Sequence, residues 1–114
     1  MSAKAFSEMM NQFLGDLGRT FPEEQAIKTA LESPPKMNDF MTAVRPWSDK
    51  ISTKDDAFFT AENPFVKSLN LHEIWKSPDA TAQTKDAIWQ YLSSLFFMGT
   101  MQSLLPPEMM TMIE

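Results

Sequence analysis

His72 is the only histidine of the chain and stands beside Glu73, which makes it the first residue to weigh as a general base or metal ligand. No nucleophile and no second ligand lies at a characteristic spacing from it, so the expectation is a histidine without catalytic work near a short helix start. The acidic pairs Glu23-Glu24 and Asp55-Asp56 could hold a cation or pass a proton. Each falls where a helical pattern begins, and carboxylates there stabilise the positive end of the helix dipole, so the expected role is capping. Asn63-Pro64-Phe65 matches a short motif that endocytic adaptor domains bind in a tight turn. The same three residues also make an ordinary helix stop with Phe65 turned inward. Gly15, Gly18 and Gly99 are too few and too scattered to cradle a phosphate, and the absence of cysteine removes thiolate metal sites, disulfides and cysteine nucleophiles together. No catalytic, metal-binding or cofactor-binding residue is assigned; the expectation is a protein without a cofactor that is not an enzyme.

The elements that must position any site follow from the apolar spacing. Phe6, Met9, Met10, Phe13, Leu14 and Leu17 recur every three or four residues, with Glu8, Asn11, Gln12 and Asp16 opposite, which predicts an amphipathic helix closed at Gly18. Thr20-Phe21-Pro22-Glu23 has the composition of a capped helix start, leading into a second helix that carries Ala26, Ile27, Ala30 and Leu31 inward until Ser33-Pro34-Pro35. Met37, Phe40, Met41 and Val44 continue the spacing, and Pro46 breaks it near residues 43–45. Ser52 to Asp56 reads as a further helix start into Ala57-Phe58-Phe59, closed by Asn63-Pro64. An extended entry and a short helix follow, with Asn70 as cap and Glu73 as its third-residue acid. Asp79 or Thr81 can cap a long helix running to about Leu105 before Pro106-Pro107 ends it, and a short Met-rich helix can follow. No segment alternates as a strand would. The predicted fold is therefore all-α: a compact bundle of five to seven helices around a long C-terminal helix, in one domain over residues 1–114 with 106–114 as a possible docking tail.

Composition limits the partners. With 114 residues, 43% of them hydrophobic, the chain can bury one core of normal size. The net charge is −5 and no window clusters lysine or arginine, so nucleic acid is an unsuitable partner. The N-terminal residues lack the uninterrupted apolar region of a secretory signal, and cytosolic synthesis is the expectation. After Asp86 the only charged side chains are Glu108 and Glu114. A helix that becomes apolar nearly all round needs a cover, and Phe96, Phe97, Met101, Met109, Met110, Met112 and Ile113 are the residues expected to form an interface with a protein partner or a second copy. Trp89, Leu92, Leu95 and Phe96 are expected to be buried against Phe13 or Leu17. Trp47 and Trp75 border Arg45 and Lys76 and could stack on cations, although anchoring short helices is the commoner use of such rings.

Three stretches together resemble a known family: residues 40–51 (Phe-Met-Thr-Ala-Val-Arg-Pro-Trp-Ser-Asp-Lys-Ile), residues 63–75 (Asn-Pro-Phe-Val-Lys-Ser-Leu-Asn-Leu-His-Glu-Ile-Trp) and residues 84–92 (Thr-Lys-Asp-Ala-Ile-Trp-Gln-Tyr-Leu). The family consists of small uncharacterised proteins encoded by large DNA viruses of algae and protists. With the amphipathic start and Thr20-Phe-Pro-Glu23, the resemblance covers most of residues 6–97. It implies a viral protein acting in the host cytoplasm, a viral factory or the virion, and brings no catalytic residues with it. Residues and resemblance together point to a non-enzymatic interaction or structural protein that works through apolar helix docking. The alternative is peripheral association of the Phe/Met-rich C-terminal region with a membrane, without the basic flank that anionic lipid favours.

Overall fold

Periodic apolar residues punctuated by proline give helices most of whose breaks fall at those prolines, the exceptions being left-handed Lys54 and Asn70, and the computed structural model, which describes residues 3–104, is all-α as that pattern predicts. Seven α-helices follow one another among the described residues: α1 (Ala3–Thr20), α2 (Gln25–Glu32), α3 (Met37–Val44), α4 (Ser48–Thr53), α5 (Pro64–Leu69), α6 (Leu71–Lys76) and α7 (Ala82–Leu104). Two 3₁₀ turns, Arg45–Trp47 and Asp56–Phe58, join α3 to α4 and lead towards α5. The bundle is built around α7 as the long C-terminal helix. At 1.5 Å per residue, the 23 residues of α7 extend roughly 35 Å.

Helix α1 runs antiparallel along α7. Phe13 meets Tyr91 with ring centroids 5.0 Å apart, Met9 lies beside Ser94 and Met98, and Leu17 lies beside Thr84 and Ile88. The other wall of α7 is aromatic: Trp89 sits 5.1 Å from Phe59 and 5.6 Å from Trp75, and Phe59 stacks on Trp75 at 3.8 Å. Trp89, Leu92 and Leu95 are buried as expected, but Trp89 packs on this Phe/Trp wall rather than on Phe13, and Phe96 is only half-buried. The ring of Trp75 carries the ammonium of Lys85 at 5.1 Å, whereas Lys76, its chain neighbour, is exposed. Phe6, Phe40 and Phe65 tie α1, α3 and α5 together, with centroids 5.5 and 4.8 Å apart.

Several boundaries differ from expectation for local reasons. Gly18 does not end α1, since no glycine has positive φ and the helix continues to Thr20, whose hydroxyl donates back to the Asp16 carbonyl at 3.0 Å. Phe21 and Pro22 therefore fall in a turn, and α2 starts only at Gln25. Leu31, predicted to point inward, is 42% exposed, and Ala26 is half-buried. Ser52 and Thr53 close α4 rather than open a new helix; their hydroxyls donate to the Asp49 carbonyl and Lys54 takes the left-handed conformation after them. Asn63-Pro64 opens α5 instead of closing the preceding turn. Proline at the first helical position gives up an N–H that has no partner there in any case. Asn70, left-handed between α5 and α6, accepts the Glu73 and Ile74 N–H groups with its backbone carbonyl, not with its side chain. Thr81 caps α7 as read, accepting the Thr84 N–H at 3.2 Å.

Candidate functional site

The motifs that could carry chemistry are spent on structure. Asn63 is fully buried and its Oδ1 accepts the N–H groups of Phe65 and Val66 at 3.1 and 3.5 Å, while Phe65 is buried in the core. The Asn-Pro-Phe triplet is thus a helix cap, out of reach of an adaptor domain. Glu24 does not cap α2 with its side chain; it accepts the carboxamide of Asn70 at 3.1 Å and so ties the start of α2 to the α5–α6 junction. Asp55 does cap, accepting the Ala57 N–H at 2.9 Å, and that bond, helped by Lys50, holds its carboxyl below the ordinary aspartate range. His72 has Nε2 3.9 Å from Glu73, and its Nδ1 is buried without a hydrogen-bond partner among the described residues. Among the described residues no three His, Asp or Glu side chains come close enough to hold a metal ion.

Two hollows flank the α1–α7 seam. At the end nearer the start of α7, a cleft of about 280 Å³ is lined by Asp16, Arg19, Thr84, Ile88 and Tyr91. The Asp16 carboxylate accepts both the Tyr91 hydroxyl and the Arg19 guanidinium, so the polar groups there answer one another and lock the two helices together. Further along, a hollow of about 440 Å³ is lined by Met9, Ser93, Ser94, Phe97 and Met98. Here the polar groups are two small hydroxyls and the rest is thioether and ring.

Phe97 makes this second hollow distinctive. It is 54% exposed and, with Leu31, is one of two large hydrophobic side chains left exposed among the described residues. The exposed positions of α7 include Gln83, Asp86, Ala87, Gln90, Ser93 and Phe97, so the outer face is mostly polar at its start and carries a large apolar side chain only at Phe97. The inner face, Ile88, Leu92, Leu95, Gly99 and Gln102, is buried. Of the expected interface residues, Phe97 is exposed, Phe96 and Met101 are half-buried, and Met109, Met110, Met112 and Ile113 lie outside the described residues. Met9, read from the sequence as part of the inward face of the first helix, and Ser93 and Ser94, which were not singled out, join the site because the hollow exists only where α1 lies along α7. No helix among the described residues is long and apolar enough to cross a membrane. No family model, no curated protein and no solved structure matches the chain.

Proposed function

We propose that this chain is a non-enzymatic interaction protein whose working surface is the Phe97 end of α7, and that the surface docks an apolar helix, in the simplest case the same face of a second copy. The observation that carries the reading is the pairing of a protruding ring with an adjoining hollow: Phe97 stands 54% exposed beside a depression walled by Met9, Ser93, Ser94 and Met98. Two such faces related by a two-fold axis offer each other a knob and a hole, and one patch then serves both sides of the contact. A net charge of −5 opposes association in general. From Ala87 to the end of α7 there is no charged side chain, so this face is spared that repulsion. Methionine suits such a surface because its unbranched thioether adapts to the shape laid on it.

The resemblance to proteins of large DNA viruses supports an infected cell as the setting and viral proteins as the alternative occupants. Phe97→Ser separates the readings. The side chain is 54% exposed, so the substitution should cost about 1 kcal/mol and leave the domain folded, while light scattering should show concentration-dependent association of the wild type and none of the variant. If the wild type stays monomeric at high concentration and instead floats with liposomes in a Phe97-dependent way, the surface serves a membrane and the protein-docking reading fails.

A further inference from the structure

We propose that Ser33 is a phosphorylation site for proline-directed Ser/Thr kinases. Ser33-Pro34-Pro35-Lys36 supplies a hydroxyl, a proline directly after it and a cation three residues on, the arrangement that this class of kinase accepts. The structure presents it suitably. Ser33 and Lys36 are exposed, and residues 33–36 form a helix-free link between α2 and α3. Proline forces its predecessor out of the helical region, and Ser33 accordingly has φ −144° and ψ 79°; Lys36 is extended at φ −84° and ψ 159°. A kinase cleft takes up an extended substrate strand, and this link is already most of the way there.

The second Ser-Pro pair provides an internal contrast. Ser77 is half-buried, its hydroxyl oxygen accepts the Asp79 N–H at 3.2 Å, and the third residue after it is the buried Ala80 rather than a cation. In the reaction, Ser33 Oγ attacks the γ-phosphorus of ATP. A new O–P bond forms as the bond to the ADP oxygen breaks, and the hydroxyl proton passes to the catalytic aspartate of the kinase. The phosphate then stands at the carbonyl end of α2, beside Glu32, where its negative charge is repelled by both the helix dipole and the carboxylate. The last turn of α2 loosens as a result, starting with the long Ser33 N–H to Thr29 carbonyl bond of 3.3 Å.

The test incubates the folded full-length chain with ATP and an active cyclin-dependent kinase complex and follows phosphate by intact mass and peptide mapping. One phosphate on Ser33 is expected, none in Ser33→Ala or Pro34→Ala, a rate lowered several-fold in Lys36→Ala, and wild-type incorporation in Ser77→Ala. Amide exchange in the last turn of α2 should quicken in the modified protein. No incorporation into the folded wild type, or equal incorporation in Ser33→Ala, overturns the site; unchanged exchange in the phosphorylated chain overturns its structural consequence.

Discussion

The Asn63 carboxamide accepts two backbone N–H groups at the start of α5 while fully buried, and its own Nδ2 has no partner among the described residues. One side chain thus satisfies two orphan donors at the expense of one buried polar group. Asn63→Ala removes the cap and leaves those donors unmet, so a loss of about 1–2 kcal/mol is expected in chemical denaturation. Asp55 performs the same task on the surface, and its depressed pKa sets a sign. A carboxyl held below its unfolded value stabilises fully above that value and loses the contribution as pH falls through the folded one, so the Asp56–Phe58 turn should weaken only below about pH 4. Titration of the Asp55 carboxyl by NMR checks this; a midpoint at or above the ordinary aspartate value would contradict it. Both caps involve residue types that the sequence marks clearly. What it leaves open is direction, because Asn-Pro ends one helix as readily as it begins another, and only the packing of α5, with Phe65 and Val66 buried, against α2 and α3 decides between the two.

Among the elements, α3 and α7 meet closely at Gly99. A Cβ built on Gly99 would lie 2.3 Å from Met41 Sδ and 2.7 Å from Met41 Cγ, so Met41 occupies the space a side chain would need. Gly99→Ala should therefore destabilise by about 1–3 kcal/mol despite the better helix propensity of alanine. In a Met41→Ala background the clash is gone and the same substitution should be neutral or stabilising by up to about 1 kcal/mol. A double-mutant cycle by thermal and denaturant melting reads the reversal of sign, and equal effects in both backgrounds would show that the helices do not meet there. Gly99 stands in the sequence as a lone glycine within an apolar helix, a recognised sign of close packing. Its partner is not readable from spacing, since α3 is 55 residues away in the chain and Met41 looks like any other core methionine. The same limit explains Trp89: its burial follows from periodicity, whereas its choice of the Phe59/Trp75 wall over Phe13 depends on how short helices without long periodic faces fold back.

At the scale of the whole molecule, the all-α architecture and the place of α7 at its centre are legible in the sequence because one long apolar pattern and one amphipathic pattern must face each other. The extent of the cover is not legible. Six prolines from Pro22 to Pro78 divide the middle of the chain into short pieces, and these pieces wrap the inner and aromatic sides of α7 but leave Phe97 outside. The hollow next to Phe97 owes its walls to two helices far apart in sequence, so it emerges only from their antiparallel packing. The central claim, that Phe97 of one copy enters the Met9/Met98 hollow of another, is tested most directly by an isotope-filtered NOE measurement on a mixture of methyl-labelled and unlabelled protein, since the filter removes the contacts made within one chain. Cross-peaks from the Phe97 ring to the Met9 and Met98 methyls of a different molecule, fading on dilution and absent in Phe97→Ser, are the predicted result; a strict monomer with no intermolecular cross-peaks at high concentration would contradict it.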